Sequence, residues 1–188
     1  MLNMRFVRVA SYIFALSLMT CCAQSASDGR VEGDLYVNSF FKLAYPWPKF
    51  LQPADVLKLN LPTVVPNPNE SLLFSARKGT EPFGVVVMAE KLGVSTQRSR
   101  GIKDGPDFLD SVIVSSGLSN KGRILKRTES TNVHGLTFQE LDYFINGEYV
   151  SAMTIQVGQW LMAFRCNAES ESDLLAMTKS VLSSRPHV

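Results

Sequence analysis

Asn146-Gly147 lies between two runs of alternating side chains, and no other dipeptide in the chain constrains the fold as much. A two-residue type I′ turn needs positive φ at both central positions, which asparagine and glycine tolerate, and its twist matches that of paired strands. The spacing predicts an antiparallel hairpin, with a strand over 136–144 returning from residue 149. On the return strand Tyr149, Met153, Ile155 and Val157 alternate with Val150, Ala152 and Thr154. Gly158-Gln159 then turns the chain into a strand over 160–166. There Trp160, Met162, Phe164 and Cys166 share one face and Leu161, Ala163 and Arg165 the other. A polar, edge-like strand over 123–129 precedes this meander.

Upstream, turn residues divide the chain into further short strands. Residues 35–37 and 40–45 read as strands joined by a tight turn at Asn38-Ser39, and Pro46, Pro48 and Pro53 close that unit. The proline-rich stretch 52–69 reads as a surface connection with one helical turn at 54–57. Strands follow over 71–76 and 83–89, the second apolar on both faces and hence central. A basic loop over 97–105 delivers Asp104-Gly105-Pro106-Asp107 at a helix start; Phe108, Leu109, Val112 and Ile113 recur at helical spacing, and Gly117 stops the helix. The last helix is marked by the capping box Ser170-Glu171-Ser172-Asp173 and an apolar stripe of Leu174, Leu175, Met177, Thr178, Val181 and Leu182, with Arg185 and Pro186 ending it. The expected class is α+β, a central antiparallel sheet of about six to eight strands with two main helices packed on it.

The opening strand Tyr36-Val37-Asn38, the run Phe41-Lys42-Leu43-Ala44-Tyr45-Pro46 leading into Trp47-Pro48, the late meander with Gly147 and Gly158 at its turns, and the final helix ending near Ser183-Ser184 together resemble the PsbP-like family. The resemblance spans residues 33–185. It implies a central antiparallel sheet with helices against its faces, and a small, exported or lumenal, non-enzymatic accessory role. Some members bind metal through histidines. This chain departs from that pattern, since His134 and His187 are its only histidines, and metal binding is not carried over.

Arg5 and Arg8 precede an apolar run over 9–19 that is shorter than the roughly 20 residues a membrane-spanning helix needs. This pattern predicts a cleaved export signal over 1–23, followed by a polar leader over 24–33 and one α+β domain over 34–185, with no transmembrane helix in the mature protein. Leu18-Met19-Thr20-Cys21 also resembles a lipobox. That alternative ends the signal at residue 20 and anchors the protein to the envelope by a lipid on Cys21. Either route places the domain outside the cytoplasm, in the periplasm or secreted. Of the three cysteines only Cys166 then remains inside the folded domain, so no internal disulfide is expected. Asn69-Glu70-Ser71 forms a glycosylation sequon, meaningful only in a eukaryotic secretory pathway.

Without residues 1–23 the chain has 17 basic and 17 acidic residues, which argues against a general nucleic-acid binder. The distribution is uneven: residues 91–127 carry a net +5 and residues 128–188 a net −4. Arg98, Arg100 and Lys103 cluster in the basic loop and are the expected contact residues for an unidentified protein partner or an anionic membrane surface, although a solvated face accounts for the same charges.

Among chemical candidates, His134 with Glu140 or Asp142 has the composition of a general base, and Cys166 with His134 that of a nucleophile and base. A turn histidine and a buried thiol on an apolar face explain both more simply. Asp104, Asp107 and Asp110 lack the alternating loop of a calcium site and suit a helix N-terminus. No phosphate loop, paired-cysteine zinc spacing or serine elbow occurs, and no cofactor is expected. The expectation is a non-enzymatic exported adaptor. The alternatives are a small-ligand carrier with Trp47 as a cleft wall, or a hydrolase using His134 with a nearby carboxylate or Cys166.

Overall fold

The computed structural model describes residues 29–54, 69–80, 82–94 and 101–187. The hairpins announced by Asn146-Gly147 and Gly158-Gln159 both lie in the main sheet. Strands β4 (Gln52–Pro53), β5 (Glu70–Arg77), β6 (Gly84–Lys91), β7 (Gly122–Val133), β8 (Leu136–Ile145), β9 (Glu148–Val157) and β10 (Trp160–Ala168) pair in the order β4-β5-β6-β10-β9-β8-β7, antiparallel throughout. Asn146 and Gly147 adopt φ of 52° and 86°, as a type I′ turn requires, and set the β8–β9 register at Ile145 opposite Glu148. Strand β6 lies inside the sheet between β5 and β10, in keeping with its apolar run.

A second sheet departs from the single-sheet expectation. β1 (Gly29–Glu32), β2 (Leu35–Asn38), β3 (Leu43–Pro46) and β11 (Arg185–Pro186) form a four-stranded sheet in the order β1-β2-β3-β11. Residues 29–32, read from sequence as leader, thus belong to the fold. Strand β3 starts three residues later than expected. Phe40 and Phe41 sit instead in a turn in which Lys42 takes φ of 49° and the Asn38 side chain accepts the Phe41 N–H at 3.0 Å. The Asx contact stabilises the turn locally, and apolarity alone does not reveal it.

Helix α1 (Gly105–Ser115) is capped by Asp104, whose carboxylate accepts the Asp107 N–H at 2.9 Å. Gly117 ends it in the left-handed region, and a short third helix, α2 (Leu118–Lys121), adds one turn that the sequence pattern did not announce. Helix α3 (Glu171–Leu182) begins at Ser170, which accepts the Asp173 N–H at 3.2 Å.

Each face of the large sheet acquires a separate core. The β2–β3 unit and α3 pack on one face: Tyr36, Leu43, Tyr45, Leu174, Met177 and Val181 join Val85, Val87, Met153, Ile155, Met162 and Phe164. Tyr45 meets Phe164 edge-on with centroids 5.4 Å apart, and Tyr36 stacks on Phe74 at 4.9 Å. Helices α1 and α2 cover the other face with Leu109 and Leu118 over Leu141, Tyr143, Ile145, Val150 and Ala152. Gly105 permits this approach, because a Cβ there would collide with the side-chain oxygens of Gln139 and Thr154.

Candidate functional site

Strand alternation places Glu140 and Asp142 on the same face as Phe138, the face covered by α3, where inward-pointing carboxylates are unusual. The ladder then aligns four polar or reactive side chains across the sheet. Cys166 is opposite Ser151, Ser151 opposite Asp142, and Asp142 opposite Lys126. A bulge between Ile124 and Lys126 in β7 brings Lys126 into this row, with Leu125 as the additional residue. From above, α3 contributes Glu171, Leu174, Leu175 and Thr178, one helical stripe at spacings of three and four. Between them lies a cavity of about 230 Å³.

Lys126 Nζ stands 2.6 Å from Glu140 Oε2, joining a half-exposed ammonium to a carboxylate that is 5% exposed. Asp142 Oδ1 and the Ser151 hydroxyl are buried without a hydrogen bond of good geometry. Burial raises the Asp142 carboxyl to about 6; the Ser151 hydroxyl opposes that rise, the Glu140 charge adds to it, and Lys126 lowers it. Cys166 is fully buried. Burial, followed by the charges of Asp142 and Glu140, pushes its thiol far above the ordinary range, so the thiolate needed for nucleophilic attack is suppressed.

The other sequence candidates lie elsewhere. His134 occupies the β7–β8 turn with φ of 52°, followed by Gly135, and its ring is exposed. Asp142 lies about 20 Å further along β8 at 3.4 Å per residue, so the structure does not bring His134 together with Asp142 or Cys166. Trp47 is buried against Phe74 with centroids 5.1 Å apart, which makes it part of the core and not a cleft wall. Asp107 accepts the Lys103 N–H at 3.0 Å, and Asp110 pairs with Arg127 at 2.8 Å, so the aspartate triplet serves helix capping and an ion pair. Lys103 is exposed ahead of α1; Arg98, Arg100 and Cys21 lie outside the described residues. Of the other basic residues of that segment, Lys91 ends β6, Arg127 lies beside the middle of α1, and Lys121 and Arg123 follow the far end of α1, about 16 Å from its start over its eleven residues. There Lys121 and Arg123 are exposed and form no ion pair among the described residues, whereas Lys126 and Arg127 are engaged. Ile124 and Leu125 beside them are 48% and 37% exposed.

The sequence named Glu140 and Asp142 only as partners for His134. Their parity with Phe138 was the signal that marks them instead as members of a buried row. Among the described residues no group of three His, Cys, Asp or Glu is arranged to hold a metal ion, and no helix is long and apolar enough to cross a membrane.

No family model matches the chain, and no curated protein matches it. Among solved structures it is similar to the solution structure of cyanobacterial PsbP (CyanoP) from Synechocystis, with a TM-score of 0.52 and 12% identity over 90% of this chain and 99% of that one. It is also similar to a Pseudomonas aeruginosa protein of unknown function, PA94, with a TM-score of 0.35 and 13% identity over 69% of this chain and 90% of that one. The fold is PsbP-like.

Proposed function

We propose that the chain is an exported, non-enzymatic accessory domain that docks an anionic partner surface through the outer end of β7. The observation that carries this reading is the composition of that edge: Lys121 and Arg123 exposed and unpaired among the described residues, flanking the exposed apolar Ile124 and Leu125. Bulges near Ile124 and Thr128 and the surrounding charges make strand-to-strand addition unfavourable, so a partner meets side chains and not a backbone ladder. Charged rims of this kind set encounter rate and salt sensitivity, while the apolar pair gives contact area. Export rests on the arginine-flanked apolar run before residue 20. The non-enzymatic reading draws support from the separation of His134 from every carboxylate and thiol named above.

Capture from the source cell's envelope tests the docking. The double variant Lys121→Glu/Arg123→Glu should fold normally and lose most capture at low salt. At 1 M salt, where the Debye length is about 3 Å, variant and native protein should converge. Equal capture at low salt would remove β7 from the interface. Intact-mass measurement tests export, with the mature N-terminus expected between Cys21 and Ala26 and a diacylglyceryl adduct on Cys21 marking the lipid-anchored form; retention of residues 1–20 excludes both routes.

A further inference from the structure

The point where the chain enters the fold coincides with an apolar tip of the large sheet. Gly29 opens β1 opposite Asn38, beside the turn that holds Phe40, Phe41 and Lys42, and Arg30 donates to the Ser39 hydroxyl at 3.4 Å across that turn. Phe40 and Phe41 meet Trp160 edge-on with centroids 5.9 and 6.4 Å apart, and Trp160 opens β10 opposite Val157. Leu136 and Val157 stand two residues beyond the Phe138–Ile155 pair, so strand alternation keeps them on the α3 face. Phe40, Leu136, Val157 and Trp160 are only partly buried there. Cations surround this rim. Lys42 and Arg185 are exposed and form no ion pair among the described residues, Lys91 lies opposite Trp160, and the end of β11 is held here by the His187 N–H donating to the Lys42 carbonyl at 2.8 Å. Glu70 and Glu90, opposite each other in the ladder, point to the reverse side of the sheet, and Glu32 is paired with Arg30.

We infer that this tip is a membrane-interface surface, at which Phe40 and Trp160 enter the headgroup region of an anionic bilayer while Lys42, Lys91 and Arg185 meet lipid phosphates. Aromatic rings favour the boundary between headgroups and hydrocarbon, and basic side chains beside them are drawn to anionic lipid. The place where the chain enters selects a bilayer over a protein partner. Eight residues separate Cys21 from Gly29, a reach of at most about 28 Å, so a leader held in the membrane brings this end of the domain to its surface. The inference rests in this respect on the export reading. A single lipid chain gives only marginal, reversible membrane binding, and a basic, aromatic rim beside the tether supplies the second signal that stable anchoring needs. Lys121 and Arg123 lie at the other end of β7, roughly 35 Å away, and face away from the bilayer toward a partner.

The test is tryptophan fluorescence of the protein purified from its source cell, mixed with vesicles of phosphatidylcholine and phosphatidylglycerol whose acyl chains carry bromine. Trp47 and Trp160 are the only indoles. Trp47 packs in the core against Phe74, and Trp47→Phe isolates Trp160; in the native chain the same result appears as a quenchable fraction of the emission. Quenching requires contact with the acyl chains, which a tether alone does not provide. The expected result is blue-shifted Trp160 emission that brominated vesicles quench and unbrominated ones do not. Lys42→Asn/Arg185→Gln should weaken vesicle binding about tenfold or more with the fold intact, since asparagine suits the φ of 49° at position 42. Lys121→Glu/Arg123→Glu should leave quenching unchanged. Unquenched Trp160 on vesicle-bound protein overturns the inference, as does native-like binding by Lys42→Asn/Arg185→Gln. Equal quenching by pure phosphatidylcholine vesicles overturns it too, and so does loss of quenching in Lys121→Glu/Arg123→Glu. Intact mass decides export and quenching decides this surface, so the two readings fail separately.

Discussion

The two faces of the large sheet solve the same burial problem in different ways. On the α1–α2 face, Leu109 and Leu118 close over five apolar strand residues; Thr154 there donates to Gln139 at 2.9 Å, while the buried Ser75 hydroxyl on the same face of the sheet has no partner. The α3 face carries a larger core built around the aromatic side chains of β2, β3, β5 and β10. It also tolerates Asp142 Oδ1 and the Ser151 hydroxyl without partners. The difference lies in the carboxylates: the larger apolar core of the α3 face offsets the cost of Glu140 and Asp142 pointing inward. The candidate site therefore lies where the fold is most heavily packed and still leaves room at the edge of α3.

The largest expected effect breaks the comparison if it fails. Phe164→Ala removes a fully buried ring in contact with Tyr45 and should destabilise by about 3–5 kcal/mol, against about 2–3 kcal/mol for Leu109→Ala on the opposite face. Urea denaturation measures both, and equal losses would mean the two cores are equivalent. Next in size is Cys166→Ser, which puts a hydroxyl in the aromatic core and should cost about 1–3 kcal/mol. The native thiol should resist labelling until the protein unfolds, and rapid labelling would show that the α3 face opens.

Asp142 gives the smallest effect and fixes its sign. Its carboxyl is raised to about 6, so the folded protein keeps a proton that the unfolded chain releases near pH 4. Stability should therefore fall as pH rises from about 4 to 6, with the loss complete above 6. The groups facing it are Glu140, Lys126 and Ser151 from the sheet and Glu171 across the cavity from α3. Asp142→Asn should gain about 1–2 kcal/mol at pH 7, allowing for partial solvent access, and almost nothing at pH 4. A variant less stable than the native protein at pH 7 would mean that Asp142 is satisfied and that the two faces do not differ in this respect.

Much of the meander was legible because each of its signals is local. Asn146-Gly147 and Gly158-Gln159 dictate turns, and Asp104 and Ser170 satisfy helix N–H groups within three residues of themselves. The inert environment of Cys166 followed from its parity with Trp160, Met162 and Phe164. The β2–β3 turn is expected at Asn38-Ser39 but runs on to Lys42, because the apolar Phe40 and Phe41 mimic a strand while the Asn38 side chain holds the turn. The candidate site was missed in part because its members come from β7, β8, β9 and α3.

What the sequence determined by itself was therefore the order and kind of most elements, since periodicity, caps and turn chemistry act over a few residues. Only the tertiary structure decided the rest. Pairing of β11 with β3 joins residues more than 130 positions apart into the second sheet. Docking of α3 on β9 and β10 beside β8, and the bulge at Leu125 in β7, turn scattered Lys126, Glu140, Asp142 and Glu171 into one charged cavity. Burial and Coulomb interactions depend on distance in space, which local sequence patterns do not encode.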